Sequence, residues 1–456
     1  MASESKYFEP YFETMPRDEL RELQNKKLRR QVARGYMFAP AIKEMFDELG
    51  ITPSDIRTVE DLQEKIPVMY KDKVRERRAK TGDPFGGYLA VPEEDVYTVQ
   101  HSTGTTGLPT FIAKTKRDVE GWITREYARH AWAAGARPGD RILVWGYYWH
   151  AWLKDGNDRG FAATGAQVWE FSSMPTPTDI ERLHMIASAV KFNGVNHGTL
   201  PMFRWMDYAR ARGIDPRETY HSHEWKFIRT EGDMLTDPVR KYSRDFWGTL
   251  HLDASGGGDC VVATAENRDQ VETGNTKGLM IWEDFFFVEV VDPKTHEVVS
   301  DGEKGEYVIT PLDYEAMVYL RWDYEDMVIK DSSRDVSGRT HATLKYLGRT
   351  IFGAIVRGKH ITQRDVEEIL YSFPEVILKP WQFIRSSKDL FKEEDKLRIR
   401  AVYDPNLTKD PEELRQRIAR TLEEKLGVPT EVEWIPEEEV RTLPHKVYKL
   451  YVRESK

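Results

Sequence analysis

From residue 96 to about residue 312, short apolar runs alternate with helical patterns, a rhythm that few folds accommodate. Arg141–Val144, Gln167–Phe171, Gly194–Asn196, Phe227–Arg229, Thr249–Leu252, Phe286–Val291 and Glu306–Ile309 read as strands. Arg117–Ala134, Thr178–Lys191, Pro201–Arg212 and Asp237–Phe246 read as helices. Strands separated by such helices line up in a layered α/β sheet. Upstream, Leu20, Leu23, Leu28 and Val32 approximate helical spacing and predict helix over Pro16–Gly50. Val290–Val299 predicts a hairpin around Asp292-Pro293.

The pattern changes after Gly348. Thr362 is a candidate N-cap for a helix with Val366, Ile369 and Leu370 on one face. Leu397, Ile399, Ala401 and Tyr403 alternate as a half-buried strand. Asp410-Pro411 opens a second helix, with Glu413 placed for a capping box and Gly427 ending it. The expected organisation is a large N-terminal layered α/β domain, 1–347, and a small C-terminal α+β domain, 348–456.

A net charge of −9 argues against a nucleic-acid surface, and one cysteine, Cys260, excludes a disulfide framework and a multi-cysteine zinc site. No apolar run approaches the roughly 20 residues that span a bilayer, and Met1–Lys6 carries no apolar signal core. A soluble, cytoplasmic protein without nucleic-acid or membrane partners is expected.

Two segments suggest ligands. His101–Thr110 reads His-Ser-Thr-Gly-Thr-Thr-Gly-Leu-Pro-Thr, in which glycines let backbone N–H groups approach an anion and hydroxyls add donors. No Gly-Lys-Ser/Thr follows, so this is either a different nucleotide-binding loop or a polar loop without a ligand. Trp145–Trp152 packs five aromatics into eight residues, with Trp122, Trp132 and Trp169 nearby in sequence. Interrupted by Gly146 and His150, this cluster suits the wall of a pocket for a flat apolar ligand.

Further segments join the loop in a fixed order: Glu315–Asp326, Leu347-Gly-Arg-Thr350, Ile355-Val-Arg-Gly-Lys359, and Leu443-Pro444 ahead of Lys446 and Lys449. With Met15–Leu20, Ile66–Asp72, and Gly278–Asp284 through Val290–Pro293, they resemble the adenylate-forming superfamily, in particular the phenylacetate–CoA ligase family. The resemblance runs end to end. It implies that ATP and a carboxylate give an acyl-adenylate and pyrophosphate, and that the thiol of coenzyme A then displaces AMP. It also implies a small C-terminal domain that rotates between the steps, Mg²⁺, and a homodimer. Ser102, Thr103, Gly104, Thr105, Thr106 and Gly107 would hold the β- and γ-phosphates, and Asp326 the ribose hydroxyls. Arg349 would sit near the ribose and α-phosphate at the domain junction. Lys449, five residues after Pro444, would be the catalytic lysine, with Lys446 the alternative.

The chain departs from the family pattern at two places. Where a Tyr-Gly-x-Ser/Thr-Glu segment belongs, it reads Asp253-Ala254-Ser255-Gly256-Gly257-Gly258-Asp259, which removes the adenine-stacking tyrosine and the metal-binding glutamate. Asp253, Ala254 and Ser255 then fall at the nucleotide, and Asp259 or Glu283 is left as the candidate metal carboxylate. Ile351 stands at the hinge position usually held by aspartate. An acid pocket is expected between Tyr147, Trp149, His150, His197, Gly256 and Gly257, where missing side chains leave room for a flat ring. An aryl or arylacetic acid is therefore expected, with His150 and His197 able to bond a ring hydroxyl or amine. Two rival readings stay open: transfer to a carrier protein or amine instead of CoA, and a nucleotide-binding regulator without catalysis.

Overall fold

The computed structural model describes residues 5–102, 109–146, 151–172, 176–440, 442–443, 446–447 and 449–453. Of these, the side chains of 146, 151–154, 172, 442–443 and 446–447 lie outside the description. Among the described residues one sheet of 11 strands dominates. Five strands run parallel, in the order His251–Gly257, Phe227–Glu231, Gly194–Gly198, Arg141–Gly146 and Gln167–Ser172. The sheet continues antiparallel through Val262–Ala265, Leu279–Met280, Thr343–Arg349, Trp322–Asp331, Lys304–Pro311 and Phe286–Val291. Helices Pro177–Ala189, Thr199–Ala211 and Asp237–Trp247 fall between the parallel strands in sequence, as crossovers between parallel strands require.

The helical reading of Pro16–Gly50 resolves into two helices, Arg17–Phe38 and Pro40–Leu49. Pro40 excludes helical backbone at the residue before it, and Ala39 is extended (φ −102°, ψ 106°). The predicted helix over Arg117–Ala134 is interrupted by a π-turn, Val119–Ile123, centred on Gly121. The hairpin at Val290–Val299 forms with one bridge, Val291 to Val298, flanked by the Val299 N–H donating to the Val290 carbonyl at 2.9 Å and the Asp292 N–H to the Glu297 carbonyl at 2.8 Å.

Leu28, Val32, Ile42 and Phe46 from the N-terminal helices join Trp282, Phe286, Tyr314 and Trp322 in one core. A second core holds Trp205, Trp225 and Trp247 and runs on into Val366, Trp381 and Phe383. After Arg349 the chain forms a four-stranded sheet in the order Thr430–Trp434, Leu397–Ala401, Trp381–Arg385, Leu450–Val452. Helices Gln363–Leu370 and Pro411–Leu426 accompany it. Thr362 caps the first by accepting from the Asp365 N–H, and Asp410 caps the second through the Glu412 and Glu413 N–H groups. Arg364 donates to the Tyr346 carbonyl at 2.6 Å and Lys304 to Asp365 at 2.8 Å, tying this unit to the large sheet.

Candidate active site

The carboxyl ends of parallel strands form a crevice where α/β sheets bind ligands, and several candidate residues collect there. Strands Thr98–His101 and Phe111–Lys114 pair antiparallel, so Ser102 and Thr110 meet at the base of the glycine-rich loop. The Thr110 N–H donates to Ser102 Oγ at 3.0 Å, and the two side-chain oxygens are 2.9 Å apart. Thr110 Oγ1 also donates to Asp259, whose other carboxylate oxygen lies 3.2 Å from Lys71 Nζ. Thr103, Gly104, Thr105, Thr106 and Gly107 lie outside the described residues.

Asp326 and Arg349 are register partners across two antiparallel strands. Arg349 Nε is 3.5 Å from Asp326, and another guanidinium nitrogen donates to Glu325 at 2.6 Å. Burial opposes the charge on Arg349. Asp326, Glu325, Asp323 and Asp259 together outweigh it and raise the pKa of the guanidinium above its ordinary value. Glu325 adopts φ 58° and its carbonyl accepts the Thr350 N–H at 2.9 Å, so the junction is held from both sides.

Asp253 is buried beside Glu266, with Arg364 at 3.9 Å. Burial first, and then the Glu266 charge, push its carboxyl up to about 7. Ala254 is buried next to it, Ser255 half-buried and Gly256 exposed. His197 is the penultimate residue of the strand Gly194–Gly198 and stands edge-on to Trp145, with ring centroids 3.6 Å apart and an interplanar angle of 80°. It is 1% exposed, and among the described residues neither ring nitrogen has a partner with good hydrogen-bond geometry. Burial drives its pKa well below the usual histidine range, so the ring is neutral. Tyr147, Trp149 and His150 lie outside the described residues.

Four expectations are corrected. Glu283 is not an open carboxylate: Arg17 grips it, one nitrogen at 3.1 Å, and the Ala342 N–H donates to it at 2.7 Å. Asp259 is committed to Thr110 and Lys71, and among the described residues no cluster of three His, Cys, Asp or Glu side chains could hold a metal. Gly257 does not clear room for a ligand ring, because Tyr324 fills the space a side chain there would take. Trp122 is no pocket wall either: it donates to Asp118 at 2.9 Å and packs on Phe286 and Tyr314 in the first core. Trp132 sits under Arg137 and bonds the Ser5 carbonyl, and Trp169 is partly exposed against Phe192.

Lys449 is 2% exposed, with Nζ 2.9 Å from Glu367. Lys446 lies in the two-residue strand Lys446–Val447, and its side chain is outside the description. The sequence reading passed over Lys71, Glu325, Tyr324 and Glu367. Each meets its partner through strand pairing or packing of distant segments, which no local motif announces.

No family model matches the chain. It is 31% identical to a phenylacetate–coenzyme A ligase from Thermus thermophilus, over 94% of this chain and 95% of that protein. It is 28% identical to one from Aromatoleum evansii, over 90% of this chain and 88% of that protein. Its fold is that of a 2-hydroxyisobutyryl-CoA ligase solved in the postadenylation state with R3-HIB-AMP. There the TM-score is 0.85 at 21% identity, covering 99% of this chain and 94% of that one.

Proposed function

The chain belongs to the phenylacetate–coenzyme A ligase family, and from that premise we propose how its own residues divide the work. The reaction is ATP-dependent: a carboxylate is adenylated with release of pyrophosphate, and coenzyme A then takes the acyl group and releases AMP. No enzyme nucleophile is needed in either step, so the protein contributes position and charge.

The Asp326–Arg349 pair is the observation that carries the residue assignment. Asp326 is an anionic acceptor for both ribose hydroxyls, and Arg349 is held charged beside it to meet the α-phosphate. Ser102 and Thr110 brace the loop whose Thr103–Gly107 wraps the β- and γ-phosphates, with the Lys71 ammonium at its base. Asp253, Ala254 and Ser255 flank the nucleotide, and Lys449 offsets the negative charge that builds on the carboxylate and α-phosphate oxygens. The division at 347/348 makes the small unit a body that turns about Arg349–Ile351. Mg²⁺ would be carried mainly on ATP's own phosphates, where it would offset their charge, since among the described residues no group of three His, Cys, Asp or Glu side chains is placed to hold it.

The acid is aryl or arylacetic. Trp145 and Phe171 line the sheet end and His197 offers a neutral ring to a polar substituent, with Tyr147, Trp149, His150 and Gly256 completing the wall. The protein is cytoplasmic and homodimeric in this reading, and no described helix is long and apolar enough to cross a membrane. The test is acid-dependent pyrophosphate–ATP exchange across a panel of aromatic and aliphatic acids, followed by thioester formation with CoA. Exchange with aliphatic acids alone would overturn the aryl assignment. Normal exchange in Lys449→Ala, where a loss on the order of 100- to 1000-fold is expected, would overturn the role of Lys449.

A further inference from the structure

We propose that Glu367 is the positioning residue of Lys449, a carboxylate that stores the ammonium at the domain junction and sets its location when adenylation begins. The inference rests on the assignment of Lys449 to adenylation and concerns a contact that the sequence did not suggest.

The lysine is tied at both ends. Its carbonyl accepts the Phe383 N–H at 2.7 Å, just ahead of the strand Leu450–Val452, which pairs in parallel with Trp381–Arg385. At the other end, Nζ lies 2.9 Å from Glu367 Oε1, 3.5 Å from the Tyr371 hydroxyl and 4.8 Å from the centre of the Trp381 ring. Both charged side chains are almost wholly enclosed. An ammonium cannot stay in such a place without a counter-charge, so the lysine can meet ATP only by exchanging Glu367 for the anionic oxygens of the substrates.

Glu367 is built to survive that exchange. The same Oε1 accepts from Gln363 Nε2 and from Trp381 Nε1, each at 3.0 Å. These two neutral donors keep the carboxylate bonded and fixed when the ammonium departs, so Glu367 stays in place while Lys449 comes and goes. Gln363 also reaches Asp233, 3.5 Å away on the large unit, and packs against Gly348, where an added Cβ would lie 2.6 Å from the Gln363 Cβ. The storage site thus adjoins the hinge, and movement of the small unit changes the surroundings of the pair.

The test uses Glu367→Gln in the full-length enzyme with phenylacetate as the acid. Two half-reactions are read separately: pyrophosphate–ATP exchange, and CoA-dependent thioester formation from synthetic phenylacetyl-adenylate. Glu367→Gln should lower the kcat of exchange by roughly tenfold or more while leaving thioester formation within about twofold of wild type. Combined with Lys449→Ala, it should slow exchange no further than Lys449→Ala alone, because both changes remove one unit. If Glu367→Gln does not fold, Glu367→Asp, which keeps the charge but withdraws it by one methylene, should show the same split. Unchanged exchange in a folded Glu367 variant overturns the proposal, as does a parallel loss in both half-reactions or an additive double mutant. Unchanged exchange in Lys449→Ala instead overturns the underlying reading of the lysine, which separates the two failures.

Discussion

A Cβ built on Gly257 would stand 2.1 Å from the ring of Tyr324, so the tyrosine owns the space that a side chain at 257 would need. Its hydroxyl accepts the Cys260 N–H at 3.0 Å and donates to the Gly257 carbonyl at 3.1 Å, and its ring stacks on Tyr307 at 5.1 Å. Tyr324 thereby closes the space beside Gly257 with an internal contact. Gly257→Ala should destabilise the protein by about 1–3 kcal/mol, the usual cost of overpacking, measured by urea denaturation. Adding Tyr324→Ala should relieve the clash, so the double mutant loses less than the sum of the single losses. Strict additivity would mean that the ring moves aside freely.

Much of the fold was legible from pattern, and its failures have local causes. Phe286–Val291 was read to the residue, and the five parallel strands were found from their short apolar runs, although the edge strand Gln167–Ser172 is largely exposed. The ten-residue strand Trp322–Asp331 was missed, since Asp323, Glu325, Asp326, Lys330 and Asp331 disguise it as a charged loop. Its neighbours on both edges supply the hydrogen bonds that hold such a sequence extended. The helix break at Ala39 was readable from Pro40. At the site, motif order pointed to Asp326 and Arg349, which strand pairing brings side by side. It could not show that Glu325 shares the arginine, that Lys71 occupies Asp259, or that Glu367 encloses Lys449, because those contacts join segments far apart in the chain.

Glu231 gives a stability prediction with a definite sign. It ends the strand Phe227–Glu231, accepts from Asn157 at 2.9 Å, and is pushed up to about 7 by burial, despite the nearby Arg229 charge. An unfolded chain releases this proton near pH 4.5, so between about 4.5 and 7 the folded state binds more protons and loses stability as pH rises. The total is about 3 kcal/mol for a shift of this size. Glu231→Gln should remove that slope, so the melting temperature of the variant gains on wild type from pH 4.5 to pH 7.5. Parallel melting curves across that range would show that Glu231 ionises freely in the fold.

Asp326→Asn keeps the shape of the side chain and removes its charge. Hydrogen bonds to a charged acceptor contribute about 1.5–3 kcal/mol, so KM for ATP should rise by roughly 10- to 100-fold with thermal stability nearly unchanged. Wild type should discriminate against 2′-deoxy-ATP, and Asp326→Asn should discriminate less. Equal discrimination in both would remove the ribose from the role of Asp326.

If the acid binds at the sheet end as proposed, His197 sets how the pocket reads polarity. Both ring nitrogens are buried and make no well-formed hydrogen bond among the described residues, and an unmade hydrogen bond of this kind costs about 1–3 kcal/mol. A ring hydroxyl or amine on the acid would recover part of that cost, whereas an unsubstituted ring would not. The neutral imidazole can act as donor and acceptor at once, and its pKa lies too far below the physiological range for charge to contribute. His197→Leu should therefore stabilise the free enzyme or leave it unchanged. It should also raise KM for hydroxyl- or amino-substituted aryl acids by roughly tenfold and change KM for phenylacetate by less than about twofold. Exchange kinetics over paired substituted and unsubstituted acids measure the difference directly. A uniform rise across all acids would place His197 in the packing of Trp145 rather than in contact with the substituent.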